Sequence, residues 1–178
     1  MNSIHLSNIT KGFNREASTK HSKLKRNTDI QQAFQKENTV FKHVSVLRII
    51  DANLNRCREG LRVIEDSIRF ILNDGVLYKK VRKIRHSVDK VLRDRYGELI
   101  KKRDSFDDSG RKMPEMSKRD LPELMIANFK RAQESLRVLE EYSKTFIPMA
   151  SADFKRQRYT VYNLEKEVYL KYKIFYLK

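Results

Sequence analysis

Apolar residues recur along most of the chain at alternating intervals of three and four. The first series runs at intervals of 3, 4, 3, 4, 3, 4 and 3 through Leu47, Ile50, Leu54, Cys57, Leu61, Ile64, Ile68 and Ile71. This seven-residue period is typical of the seam of a helix that packs almost parallel to its neighbours. It predicts a first helix that ends at the sequence NDG, residues 73–75, because Asn and Gly favour turns.

The same spacing predicts three further helices. A second helix covers roughly 76–101, and a polar stretch follows at about 102–120. Pro122 suits the first turn of a third helix, and Pro148 ends it. The fourth helix covers about 151–176. No part of this core alternates apolar and polar residues with a period of two, so no sheet is predicted.

The fold class expected from this pattern is all-α, an antiparallel four-helix bundle formed by residues 45–178. Residues 1–44 are basic and rich in Ser, Thr, Asn and Gln, with no steady apolar period. We predict a disordered N-terminal arm there, with a short helix near DIQQAFQKE at 29–37.

An internal repeat links the first and third helices. Shifting the sequence by 75 residues aligns 52–66 with 127–141, and eight of the fifteen pairs are identical. The identical pairs are Ala52/Ala127, Asn53/Asn128, Arg56/Arg131, Glu59/Glu134, Leu61/Leu136, Arg62/Arg137, Val63/Val138 and Glu65/Glu140. The repeat predicts two related helical hairpins, neither of which can bury its apolar face alone.

Most of the shared residues are predicted to point away from the core, since only Leu61 and Leu136 lie on the apolar seam. One interpretation is a ladder of Arg–Glu ion pairs kept from a duplicated hairpin, each pair contributing ~0.2–0.5 kcal/mol. The other is a binding site. The repeated asparagine favours the binding site, because an Asn inside a helix lowers helix stability by several tenths of a kcal/mol relative to Ala. The residues alone leave both interpretations open.

Charge and composition narrow the class of protein. The 178 residues include 39 Lys and Arg against 23 Asp and Glu, giving a net charge of +16 that suits an anionic partner. One cysteine, Cys57, excludes a disulfide framework. The sequence has no apolar run of the ~18 residues that span a bilayer, and its start lacks a secretory apolar core. We therefore expect a cytoplasmic protein without a membrane partner.

The repeated residues and the polar stretch together suit phosphate chemistry. Arginine forks grip phosphate oxygens bidentately, and carboxylates near phosphates commonly hold Mg²⁺. The sequence RDSFDDSG at 103–110 adds Arg103, Asp104 and Asp108 to the charged rows of the helices. The sequence has no P-loop and no glycine-rich nucleotide motif. The pattern therefore predicts a phosphate and Mg²⁺ site of another kind.

Four segments of this sequence resemble a known family. They are RIIDANLNRCREGLRVIEDSIRFIL, RDSFDDSG, ANFKRAQESLRVLEEYSK and RYTVYNLEK. Together they resemble the small all-helical hydroxymethylpyrimidine-phosphate kinases of thiamine synthesis, a domain also found fused ahead of thiamine-phosphate synthase. The resemblance runs from about 46 to 170. It implies that ATP and hydroxymethylpyrimidine phosphate react to give ADP and the pyrophosphate, with ATP and Mg²⁺ as cofactors.

On this resemblance and the chemistry of the side chains, we assign candidate roles. The phosphate contacts are Arg56, Arg62, Arg131, Arg137 and Arg103. The candidates for Mg²⁺ are Asp104 and Asp108, helped by Glu59 or Glu134, and those that read the pyrimidine or a phosphate oxygen are Asn53 and Asn128.

Two other functions stay open, and a homodimer is expected. The first alternative is a non-catalytic helical module that binds thiamine-phosphate synthase. The second is a basic nucleic-acid-binding protein, which is disfavoured because acids interleave the basic residues of the repeated helices. The homodimer is expected because small and apolar residues lie on predicted outer helix faces beside the charged row, namely Ala52, Val63, Phe70, Ala127 and Val138.

Overall fold

In the computed structural model, the described residues are 31–32, 35–36, 39, 45–104, 106, 112 and 120–173. The chain divides into two compact units, Met1–His43 and Val44–Lys178. The described residues of the first unit are helical and exposed. The disordered arm predicted for 1–44 otherwise lies outside the described residues.

The described residues of the second unit form four long helices and one short helix. They are α1 (residues 45–66), α2 (Gly75–Val91), α3 (Tyr96–Lys101), α4 (Leu121–Phe146) and α5 (Pro148–Tyr172). The described residues contain no strand, so the predicted all-α class is confirmed. The antiparallel bundle arrangement stays a prediction.

The first predicted helix ends differently from its pattern. A π-helical turn, Ser67–Ile71, follows α1. Hydrogen bonds in such a turn run from residue i to i+5, so the side chains change register. Ile68 remains fully buried, but Ile71 is 59% exposed, and its predicted place in the core is wrong. Leu72, which is partly buried, packs against the core instead.

The second predicted helix, 76–101, is also wrong as a single element. It breaks after α2, and a 3₁₀ turn at Arg93–Arg95 precedes α3. The sequence RDRYG at 93–97, which covers this turn and the start of α3, is exposed and contains Gly97, a poor helix former. Between Leu92 and Lys101 only Leu99 is buried. Burial of apolar side chains therefore contributes little free energy to stabilise one straight helix here.

The helices α4 and α5, which correspond to the third and fourth predicted helices, begin at capping or proline residues. Asp120 caps α4 by accepting a hydrogen bond from the Glu123 amide at 2.9 Å, and Pro122 lies in the first turn as predicted. Pro148 begins α5 directly after α4 ends at Phe146. Asp74 caps α2 in the same manner, accepting from the Leu77 amide at 3.0 Å.

One continuous apolar core joins the four long helices. α4 packs along α5, and α2 packs on α5. α1 meets α4 at Gly60, where an added Cβ would lie 3.0 Å from the Asn128 carbonyl oxygen. Cys57 is fully buried in this core, as its place in the apolar series predicts, and burial together with the Asp89 charge raises its pKa to about 12. Within the described chain, no helix is both long enough and apolar enough to cross a bilayer.

Candidate functional site

Eight repeated residues form one outward surface, which we call the repeat face. Its charged members are exposed, its apolar members are half-buried, and together they are Ala52, Arg56, Glu59 and Val63 of α1 with Ala127, Arg131, Glu134 and Val138 of α4. The prediction that these positions point away from the core is confirmed.

A close helix–helix contact brings the two copies of the repeat face side by side. α1 touches α4 where Gly60 approaches Asn128 and Ala132. Arg56 lies one turn before Gly60 on the same edge of α1, and Arg131 directly precedes Ala132. The two repeated arginines therefore flank the contact between their helices.

The charged side chains of the repeat face form no local ion pairs. Arg56 and Glu59 are three residues apart, the spacing of a helical ion pair, and so are Arg131 and Glu134. Within the described chain, none of these four side chains makes a hydrogen bond or a salt bridge with another described residue. The ion-ladder interpretation is therefore wrong at these positions.

Ion pairs within one helix do form about one turn further along α1 and α4. Arg62 reaches Asp66 with its Nε 3.1 Å from Oδ2, and Arg137 reaches Glu141 at 2.9 Å. Arg62 and Arg137 also approach Glu65 and Glu140, at 3.6 and 3.3 Å. Both arginines are about half exposed, so these pairs contribute little stability.

The repeated glutamates Glu65 and Glu140 have a structural role that the sequence pattern missed. Glu65 accepts a 2.7 Å hydrogen bond from Arg85 of α2, which raises the arginine's pKa. Glu140 accepts from Arg158 of α5 at 2.8 and 3.1 Å. The hydrogen bond with Tyr162 and the Glu140 carboxylate raise the pKa of Arg158. Each pair ties the two helices of one hairpin together.

Asn53 and Asn128 are buried, so their predicted outward position is wrong. Each amide nitrogen donates to the carbonyl four residues earlier, Asn53 to Ile49 at 2.9 Å and Asn128 to Leu124 at 2.8 Å. The Oδ1 atom of Asn128 is buried and has no hydrogen-bond partner among the described residues. A buried unpaired acceptor costs ~1–3 kcal/mol, so a further hydrogen-bond donor at this side-chain oxygen would be favourable.

The candidate loop residues are only partly described. Arg103 grips the Asp51 carboxylate with two nitrogens, at 2.7 and 2.8 Å, and this hydrogen-bonded pair raises the pKa of Arg103. The Asp104 carboxylate accepts from the Phe106 amide at 3.1 Å. Asp108 lies outside the described residues. In the described part of the chain, no cluster of three or more His, Cys, Asp or Glu side chains is placed to hold a metal ion.

A separate groove lies between α2 and α5. Its cavity volume is about 470 Å³, and its walls include Lys83 of α2 and Thr160 of α5. None of the residues proposed from the sequence as site residues lines it. The repeat face and this groove are therefore two distinct candidate surfaces.

Comparison with known proteins places the match on the helical unit. The ThiD2 family matches residues 48–167. Thiamine-phosphate synthase from Nostoc punctiforme is 40% identical over 126 residues, which are 69% of this chain and 35% of that protein. The protein of the same name from Rhodopirellula baltica is 41% identical over 132 residues, 71% of this chain and 35% of that protein. The chain thus spans about a third of the length of these curated relatives. No solved structure matches the chain.

Proposed function

Since the chain belongs to the ThiD2 family, we propose that it acts in thiamine biosynthesis as an ATP- and Mg²⁺-dependent kinase. It converts hydroxymethylpyrimidine phosphate to the pyrophosphate and releases ADP. The observation that carries this proposal is the pair of repeated arginines, Arg56 and Arg131, which have no carboxylate partner among the described residues and flank one helix contact.

The reaction suits a site made of arginines and carboxylates. The acceptor is a phosphate oxygen that is already ionised, so the enzyme needs no strong general base. The difficulty is to bring two polyanions together and in line. Positioned cations overcome this by orienting both phosphates and neutralising charge in the transition state.

The five candidate arginines fall into three groups according to the carboxylates with which they pair. Arg56 and Arg131 can bind phosphate without breaking an ion pair, so they are the primary clamp. Arg62 and Arg137 would have to leave exposed, weak pairs, so they are secondary phosphate contacts. Arg103 is held by Asp51 in two hydrogen bonds, so its role is to position the loop that carries Asp104.

The donor set of the repeat face fits Mg²⁺. Mg²⁺ in phosphoryl-transfer sites binds one or two carboxylates and takes its other ligands from water and substrate phosphates. Glu59 and Glu134 are exposed carboxylates without a cation partner in the described chain, and Asp104 and Asp108 are the loop candidates. The metal would supply charge neutralisation between the two phosphates. The Asn128 Oδ1 atom would accept a hydrogen bond from the aminopyrimidine ring.

A coupled ADP-release assay on the purified chain tests the proposal. We expect ADP release with hydroxymethylpyrimidine phosphate and almost none with the unphosphorylated alcohol, whose hydroxyl needs a base. Arg131→Ala should lower turnover ~100-fold, as for loss of a transition-state clamp. The neighbouring exposed residue allows a matched control, Lys130→Ala, which should keep full turnover.

The second candidate function is a non-catalytic module that binds thiamine-phosphate synthase. This function is favoured because the match covers only 35% of the length of the relatives that bear that name. The same assay separates the two functions. A folded chain that releases no ADP alone but raises the activity of added thiamine-phosphate synthase would support the module.

A further inference from the structure

Among the four long helices of the helical unit, two carry the excess of positive charge. α1 and α4 each contain four Lys or Arg and four Asp or Glu. α2 contains six Lys or Arg and one Asp, and α5 contains five and three. The helices of the repeat face are therefore neutral, and an anion is attracted to the pair α2 and α5.

The groove between α2 and α5 has the shape of a small-molecule site. Its cavity volume of about 470 Å³ falls within the ~300–1,000 Å³ of typical ligand pockets. Ile84 and Leu164 line it and are only 5% and 3% exposed, so they form an apolar floor. Ser87, Gln157 and Asn163 add polar groups to the walls. These three polar side chains make no hydrogen bonds within the described chain, so their donors and acceptors are available.

One cation in the groove is available for a ligand. Lys80 is held by Glu167, with Nζ 2.5 and 2.8 Å from the carboxylate oxygens. Arg156 is held by Asp153. Lys83 lines the groove, is exposed, and pairs with no carboxylate in the described chain. A single negative group would therefore bind at Lys83, with Arg156 on the opposite wall.

We propose that this groove is a second ligand site, for a phosphorylated small molecule with a planar ring and the size of a mononucleotide. The phosphate binds at Lys83, the ring lies on Ile84 and Leu164, and the polar walls bind the remaining groups. An extended nucleic-acid strand fits less well, because Lys80 and Arg156 are already held by carboxylates. The groove therefore offers one available cation to a backbone that carries many phosphates. The site is independent of the repeat face and of the proposed kinase reaction.

Amide NMR of the labelled full chain during titration with AMP tests this proposal. We expect saturable shifts at the amides of Ser87, Asn163 and Leu164. Lys83→Glu should weaken AMP binding at these amides at least about tenfold, as for loss of a charge-assisted hydrogen bond. Lys155→Glu makes the same charge change on α5 outside the groove lining, and it should leave the affinity within about twofold.

Three outcomes would overturn the proposal. The first is an AMP affinity that Lys83→Glu leaves unchanged, and the second is shifts confined to the amides of the repeat face. The third is a short single-stranded oligonucleotide that binds at least about tenfold more tightly than AMP and is weakened equally by Lys83→Glu and Lys155→Glu, which would indicate a nucleic-acid surface. Arg131→Ala should leave AMP binding in the groove intact even if it abolishes kinase turnover. Failure of the groove proposal can therefore be distinguished from failure of the kinase proposal.

Discussion

Arg158 of α5 donates two hydrogen bonds to one oxygen of Glu140 on α4, at 2.8 and 3.1 Å, and both side chains are nearly buried. Arg85 and Glu65 make the corresponding pair between α2 and α1. The two pairs hold the helices of each hairpin together. They also explain why the glutamate is repeated, since each copy serves its own hairpin.

Glu140→Ala should destabilise the protein by about 3 kcal/mol, because it leaves the buried Arg158 charge without its partner. Chemical denaturation at pH 7 measures this loss. Glu141→Ala is the matched control, since the adjacent carboxylate makes only exposed pairs and should leave the denaturation midpoint almost unchanged. Equal losses of unfolding free energy in the two variants would show that the buried pair stabilises the protein no more than the exposed pairs do.

Gly60→Ala should fail to give the stabilisation that Ala normally brings inside a helix, about 1 kcal/mol over Gly. The added Cβ would lie 3.0 Å from the Asn128 carbonyl oxygen, so α1 and α4 must move apart. Gly97→Ala is the control, because no atom lies within 4 Å of its Cβ position. Thermal denaturation should show a gain for Gly97→Ala and a loss or no change for Gly60→Ala. A clear gain for both variants would contradict the close helix contact.

Asp74 should make stability depend on pH in the acid range. The hydrogen bond from Lys171 at 2.6 Å, helped by the Leu77 amide, lowers the pKa of Asp74 in the folded chain. Its stabilising contribution is therefore fully present above the unfolded pKa of about 4 and declines as the pH falls through the folded value. Asp74→Asn should lower the melting temperature clearly at pH 7, and this difference should shrink as the pH falls below about 4. A difference that is the same at both pH values would show that ionisation of Asp74 contributes nothing.

A homodimer is expected from the repeat face, where Val63 and Val138 lie beside the exposed charges. Phe70, in the π turn that follows α1, is 67% exposed and adds apolar surface. Light scattering across a concentration series should give twice the chain mass of 21.2 kDa. Val138→Glu should lower the measured mass to that of one chain. Val76→Glu changes an apolar residue that is 64% exposed outside the repeat face, and the dimer should persist. A constant mass of one chain in the unmodified protein would show that no dimer forms.

The sequence predicted the helices well wherever one apolar stripe decided the structure. The stripe from Leu47 to Ile68 is buried, and the capping and proline signals placed the start of α4. Ile71 was misplaced because a π turn changes the register, and such a turn has no signal in the spacing of apolar residues.

The candidate site was predictable in its residues and less so in its geometry. The repeat identified Arg56 and Arg131, but nothing in it distinguished them from Arg62 and Arg137, which pair locally. Asn53 and Asn128 were placed outside because a narrow seam was assumed. Both asparagines are buried, and α1 approaches α4 closely where Gly60 meets Asn128, so the buried stripe is wider than that seam.

Phosphorus NMR of the reaction mixture tests the kinase proposal most directly, because it observes the new phosphorus–oxygen–phosphorus linkage rather than ADP alone. The chain, purified without any synthase, is incubated with ATP, Mg²⁺ and hydroxymethylpyrimidine phosphate. We expect the substrate's single phosphate resonance to be replaced by two coupled resonances of the pyrophosphate, with the rate lowered ~100-fold in Arg131→Ala. An unchanged substrate resonance with correctly folded protein, or equal rates for the Arg131→Ala and unmodified chains, would contradict a phosphate clamp on the repeat face.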